Sequence, residues 1–243
     1  MKYFRYGEHF LVDPAFIELF VKRSGINARD KVLEIGTGLG TITKEVAKAG
    51  CYVSSFETNT RLYRIAKHTL SSYNNIEIIN SDALKFTSDG FDIVLSSLPY
   101  YISSRFITWL CKQKTPLAVV ILQREFVEKL ISPPGTKHYG AYSVIAKYCF
   151  NVEPMDVIPP EAFSPKPKVF SQIVRFLRQK TIAESESLIK SLKFLFSFRG
   201  KTLKSTERII KKHFPNFEFG INQDKRIEDL SIDEAIMAAQ KIG

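Results

Sequence analysis

The residues with the most chemical content in this chain of 243 are three acids and a run of glycines. Glu34 closes a β-branched run, KVLEI (31–35), directly before Gly36, Gly38 and Gly40, spaced G-x-G-x-G. Glycine there permits a tight turn from strand to helix and lets a ligand approach the backbone at a sheet's carboxyl edge. Such a turn is also a structural need of many α/β units, so the acids narrow its meaning. A carboxylate at position 34 repels a pyrophosphate but suits a cationic group, such as the amino-acid end of S-adenosylmethionine, directly or through water. Glu57 ends the next strand pattern, about 20 residues past the turn, where an acid can accept from both hydroxyls of a ribose. Asp82 ends the third and can accept from an adenine amino group. Any one of them can be an exposed strand-end carboxylate; three at successive strand ends fit a nucleoside-bearing cofactor. The fourth strand pattern ends in Ser97-Leu98-Pro99-Tyr100. A polar side chain and carbonyls beside a proline can accept hydrogen bonds from a substrate NH2 and turn its lone pair toward a sulfonium methyl, while an aromatic ring stacks on the base. Transfer of this kind needs no metal and no covalent intermediate. An adenine must leave its stack to reach such a pocket, which makes Tyr100, with Tyr101 or Phe163, the expected stacking platform.

The elements that hold these residues follow from periodicity. From Lys31 to Gln123, short β-branched runs alternate with helical patterns, the signature of a parallel sheet covered by helices. Strands are predicted at 31–35, 51–57, 76–81, 91–97 and 117–123, with helices over 41–50 and 59–73. A first helix is predicted from Pro14, with Asp13 as its N-cap. Beyond Gln123 come a helix (124–131), a Pro-Gly turn (133–135), the stretch AYSVIAKYCF (141–150), a strand-like stretch (151–158), a proline-rich loop (159–168) and a last strand (169–177). Everything from Thr181 reads as helical. The expected organisation is a domain over 1–178 and a small helical domain over 179–243.

Composition bounds the rest. No apolar stretch approaches the roughly 18 residues that cross a bilayer, and the N-terminus lacks a secretory pattern, so a cytoplasmic location is expected. Cys51, Cys111 and Cys149 are odd in number, far apart and set in apolar stretches, which suggests buried thiols rather than a disulfide framework or a metal site. A net charge of +10 and a pI near 9.4 point to a polyanionic partner. The basic residues recur in RFLRQK (175–180) and in FRGKTLKSTERIIKK (198–212), where Arg199, Lys201 and Lys204 are candidate phosphate ligands.

GEHFLVD (7–13), EIGTGLG (34–40), Glu57, SDAL (81–84), SLPYYISS (97–104), QREFVEKL (123–130), YGAYSV (139–144), FSPKPKV (163–169), FRGKTLKS (198–205) and RIEDLS (226–231) together resemble, in order and over nearly the whole chain, the ribosomal RNA adenine dimethyltransferases. The resemblance implies a Rossmann-like, S-adenosylmethionine-dependent methyltransferase domain with a small helical C-terminal domain. It implies dimethylation of two adjacent adenosines of small-subunit ribosomal RNA, with a role in ribosome assembly, and a monomer is expected. Carried over to this chain, Glu8, His9 and Leu11 would close over the methionine end of the cofactor, and Gly36, Gly38, Glu57, Asp82 and Ala83 would hold the rest, with Glu34 and Ser97 beside them. Ser97, Leu98, Pro99 and Tyr100 would form the adenine pocket, and Phe163 would lie against the base. Two positions depart from the family pattern: Glu8 where Gln is usual, and Ser97 where Asn is usual. A hydroxyl is shorter than a carboxamide, so loss of one oriented acceptor implies a slower enzyme, on the order of 10²-fold. The competing readings are an assembly factor whose pocket has decayed, which has no need to keep the cofactor acids, and the large-subunit methyltransferases of macrolide resistance, whose tail is less like FRGKTLKS and RIEDLS. DNA adenine methyltransferases need a recognition domain that this length hardly admits. A dehydrogenase fails because Thr41 stands where G-x-G-x-x-G requires its third glycine.

Overall fold

A computed structural model describes residues 9–182, 185–212, 215–220 and 224–242. The first half runs β1 (Phe10–Leu11), α1 (Pro14–Ser24), β2 (Lys31–Ile35), α2 (Thr41–Lys48), β3 (Tyr52–Phe56), α3 (Thr60–Thr69), β4 (Ile76–Ile79), β5 (Ile93–Ser97) and α4 (Ser103–Lys112). It continues with β6 (Leu117–Gln123), α5 (Arg124–Ile131), α6 (Ala141–Cys149), β7 (Phe150–Ile158), β8 (Phe163–Ser164) and β9 (Ser171–Arg178). Helices α7 (Ser185–Phe196), α8 (Leu203–Lys211) and α9 (Ile232–Ile242) close it.

Seven strands form one sheet in the order β4-β3-β2-β5-β6-β9-β7. The five from β4 to β6 run parallel, and β9 returns antiparallel along β6. This is the Rossmann-like α/β architecture expected from the alternating patterns, with each of those five strands within two residues of its expected ends. β2, β3, β5 and β6 are buried along nearly their whole length, as strands covered on both faces must be. From β2 the chain steps outward through β3 to β4, then crosses back to β5 on the other side of β2. The strand order therefore reverses between β2 and β5, and at such a reversal the connecting loops part and leave a crevice outside the carboxyl ends.

Local chemistry sets the helix starts. Asp13 accepts from Ala15 N–H at 2.9 Å with Pro14 at the first helical position, and Gly25 closes α1 in the left-handed conformation. Asn59 caps α3 by taking the N–H groups of Arg61 and Leu62. Helix α2 has no side-chain cap; it springs from Gly40, at φ 78°, so its first turn stays open at the crevice.

Two features were not anticipated. Residues 103–112 form a helix that buries Phe106, Ile107, Trp109, Leu110 and Cys111. Within the stretch expected as a proline-rich loop, Phe163 and Ser164 pair with Leu11 and Phe10 in a two-residue antiparallel ladder. A ladder so short has no periodicity by which to announce itself.

The chain divides into two compact units. The first takes the chain up to Phe106, with Gln113–Val127 and Glu153–Arg178; the second takes Ile107–Lys112, Glu128–Val152 and the chain from Gln179. The second unit thus draws in more chain than the 179–243 read as its domain. Within it Tyr139 Oη donates to Leu230 O at 2.9 Å, and Gly135 N–H donates to Glu228 O at 2.7 Å. No described helix is long and apolar enough to cross a membrane.

Candidate active site

The crevice between β2 and β5 is a cavity of about 300 Å³. Gly36, Thr37 and Gly38 form its floor, with Glu57 at one side, Ser81 to Leu84 beyond it, Ser97 and Pro99 at the other side, and His9 to Leu11 above. The floor is built by hydrogen bonds. Gly36 N–H and Thr37 N–H both donate to Phe56 O, at 2.8 and 3.1 Å, and Gly40 N–H donates to Thr37 O at 2.8 Å. Gly36 has φ 87°, a conformation that side chains rarely adopt, and a Cβ there would meet no protein atom within 4 Å. At Gly38 a Cβ would stand 2.9 Å from the Phe10 ring, so the floor and the β1 strap approach one another only because this residue has no side chain.

The acids occupy three different environments. Glu57 reaches back over the floor: Oε2 accepts from Gly38 N–H at 2.9 Å and Oε1 from Asn59 N–H at 2.8 Å. Burial pushes its pKa up, against the pull of these backbone donors. Each oxygen keeps a second lone pair, so the carboxylate is oriented and still able to accept. Asp82 accepts from Leu84 N–H through Oδ1 at 3.0 Å and pairs with Arg105 Nη2 through Oδ2 at 2.7 Å. Glu34 lies behind the floor, outside the cavity wall and 1% exposed. Thr43 Oγ1 and Ser55 Oγ each donate to its Oε2 at 2.6 Å, and Thr37 Oγ1 stands 2.6 Å from the same Ser55 hydroxyl. Burial, only partly offset by those donors and reinforced by Glu57, pushes its pKa up to about 7.

Of the residues singled out by sequence, His9, Leu11, Gly36, Gly38, Glu57, Asp82, Ala83, Ser97 and Pro99 all stand in the cavity wall. Glu8 lies outside the described residues. Glu34, Leu98, Tyr100 and Phe163 do not reach the wall. Leu98 is buried and anchors the loop, so only its backbone is placed for chemistry. Tyr100 stands beside the cavity: Oη is 2.8 Å from Ser171 Oγ and the ring is 5.4 Å from that of His9. Phe163 is 4% exposed and belongs to the hydrophobic core, because pairing with Leu11 turns it inward. Tyr101 does line the wall and is 65% exposed. In the second unit Arg199 donates to Glu228 Oε2, Lys137 O and Thr136 O at 3.1, 2.6 and 3.1 Å, while Lys201 and Lys204 are exposed.

Several wall residues went unread in the sequence: Phe10, Thr41, Phe56, Leu62, Ile102 and Arg105. Phe56 alone carried a local signal, standing directly before Glu57. The wall suits a nucleoside carrying a charged tail. Phe56, Leu62, Ala83 and Ile102 offer an apolar slot, and Glu57 and Asp82 offer acceptors at its edge. A glycine floor of this kind at the strand-order reversal, lined by the carboxylates of Glu57 and Asp82 with Arg105 tied to Asp82, defines an S-adenosylmethionine-dependent methyltransferase.

The chain belongs to the ribosomal RNA adenine dimethylase family, whose model matches residues 2–242. It is 38% identical over 203 residues to the probable ribosomal RNA small subunit methyltransferase A of Methanococcus maripaludis, covering 82% of this chain and 77% of that protein. It is 32% identical to the ribosomal RNA small subunit methyltransferase A of Bacillus cytotoxicus, covering 97% of this chain and 89% of that one. Its fold matches the crystal structure of a dimethyladenosine transferase from Plasmodium falciparum with a TM-score of 0.78 at 23% identity, over 95% of this chain and 96% of the other.

Proposed function

We infer that this chain transfers methyl groups from S-adenosylmethionine to the exocyclic N6 of adenosines in small-subunit ribosomal RNA. The observation that carries the reading is the meeting of Ser97 and Pro99 with the glycine floor and Glu57 in one cavity. The cofactor, when bound, supplies a methyl group on a cationic sulfur. Glu57 is oriented to take the ribose hydroxyls, and Asp82, held by Leu84 N–H and Arg105, keeps lone pairs for the adenine amino group. Glu34 acts from behind the floor by holding the hydroxyls of Thr43 and Ser55, rather than by direct contact. Ser97 and the carbonyls around Pro99 aim the target amine, and the base stacks beside Tyr100 or against the exposed ring of Tyr101.

The finer features of this function belong to the same proposal. Transfer runs to two methyls on each of two adjacent adenosines, the protein works as a monomer in the cytoplasm during ribosome assembly, and the helical unit meets the RNA through Lys201 and Lys204. The test is transfer of radiolabelled methyl groups to isolated ribosomal subunits. Label in the RNA of immature small subunits, and none in large subunits, is expected. Binding to small subunits without transfer would select the assembly-factor reading, and label in large-subunit RNA would select the macrolide-resistance type.

A further inference from the structure

Methylating an exocyclic amine creates a proton that has to leave, and the Ser97 hydroxyl and the carbonyls around Pro99 are weak bases for it. His9 stands in the cavity wall with Ser97 and Pro99. Its Nδ1 lies 2.7 Å from Pro165 O. A carbonyl oxygen can only accept, so Nδ1 carries the hydrogen, and the neutral ring keeps its lone pair on Nε2. No described residue hydrogen-bonds that nitrogen. The arrangement is built by the chain path: β1 and β8 pair Phe10 with Ser164, which brings the preceding His9 opposite the following Pro165. The ring is 5.4 Å from that of Tyr100 at an interplanar angle of 32°.

The other groups facing this space serve poorly as proton acceptors. Glu57 on β3 accepts from two backbone N–H groups, and Asp82 beyond β4 is held by Leu84 N–H and by Arg105 on α4. The Tyr100 phenol, beside Ser171 on β9, is pushed up by burial and stays protonated, and the Ser97 hydroxyl is a weak base. Glu34 is sealed behind the floor by Thr43 and Ser55.

We propose that His9 is the proton acceptor of the reaction, with Nε2 receiving the proton that the target amine sheds. The amine nitrogen bonds the methyl carbon while the electron pair of the C–S bond stays on sulfur, leaving a neutral thioether and a positively charged nitrogen with two hydrogens. One of these passes to His9 Nε2, giving an imidazolium and a neutral N-methyl amine. The imidazolium returns its proton to water before a second transfer. This rests on the reading of the cavity as a methyl-transfer site.

The test combines a variant that preserves the tether with a readout that needs no turnover. His9→Asn keeps an N–H for Pro165 but has no basic nitrogen. In single-turnover methyl transfer it should be slowed on the order of 10²-fold, and any loss of rate toward low pH that the wild type shows should be absent from the variant. Affinity for S-adenosylhomocysteine, read by calorimetry, should fall by far less than the rate. In the unliganded wild-type protein, ¹⁵N spectra of the imidazole should show the neutral form protonated on Nδ1. A neutral ring protonated on Nε2, a variant with wild-type rate and pH profile, or a loss of rate matched by an equal loss of affinity overturns the proposal. Glu34→Gln separates the two groups in the profile: a low-pH limb that persists in His9→Asn but disappears in Glu34→Gln belongs to Glu34, and that outcome also counts against His9. A wild-type protein that takes up S-adenosylhomocysteine but methylates no RNA overturns the functional reading first, and this one with it.

Discussion

At the scale of single residues, the three acids differ in what they can do despite similar positions in the sequence. Glu34 is sealed behind the floor, and its carboxyl favours the neutral form in the fold. The native state therefore holds this proton more tightly than the unfolded chain does. The stability this contributes is complete below the ordinary carboxylate value and is lost as pH rises through about 7. Relative to Glu34→Gln, the wild type should lose on the order of 3 kcal/mol across that window, read by urea unfolding at a series of pH values. A constant difference between the two proteins would contradict the burial argument. Ser97 presents the opposite case, a residue on the wall whose hydroxyl is short for the amine-aiming role proposed for it. Ser97→Asn should raise single-turnover methyl transfer on immature small subunits by roughly 10-fold to 100-fold, and an unchanged rate would show that the backbone carbonyls alone aim the amine. Residue types and spacing were enough to point to Glu57, Asp82 and Ser97, which the structure brings to one cavity wall. They were not enough to reveal that Glu34 is turned away or that Phe163 packs into the core, because both depend on partners such as Ser55 and Leu11 that are far away in the chain.

At the scale of elements, the floor is a strand-to-helix turn with three glycines, each needed for a different reason. Gly36 needs its positive φ, Gly38 needs room for Phe10, and Gly40 starts α2 at φ 78° with Leu70 close by. An added Cβ at Gly40 would lie 2.9 Å from Leu70 Cδ1. Gly40→Ala should therefore cost on the order of 1–3 kcal/mol and lower the melting temperature by several degrees. A melting curve like that of the wild type would mean that the turn relaxes without strain. The parallel strands were legible because each is a continuous apolar run punctuated by turn residues, and α1 because Asp13 and Pro14 mark its start. Helix α4 was not, since its apolar face follows directly on a loop motif that drew attention for its chemistry. The β1–β8 ladder was not legible either, being only two residues long and formed by segments more than 150 residues apart. That ladder carries His9, Phe10 and Leu11 to the cavity, so the least readable element is one of those closest to the chemistry.

At the scale of the whole molecule, the net charge of +10 sets the expectation of a polyanionic partner, but charge alone does not say which cations meet it. The structure divides the candidates. Arg199 donates to a carboxylate and two carbonyls within its own unit, whereas Lys201 and Lys204 face solvent. Replacing both lysines with glutamine should weaken binding to small subunits and flatten the dependence of log K on log salt by about 1.5, roughly 0.7–0.9 for each phosphate no longer neutralised. Arg199→Gln should instead lower thermal stability and leave that slope alone; a flatter slope in this variant would return the arginine to the RNA surface. The proposed activity requires that the crevice between β2 and β5 seat a methyl donor beside an extruded adenine. Mass spectrometry of the nucleosides from small-subunit RNA, incubated with the protein and S-adenosylmethionine, tests it most directly. N6,N6-dimethyladenosine should accumulate with the wild type and not with Glu57→Ala. RNA left unmethylated by a protein that binds the donor, or methylated equally well without Glu57, would contradict it.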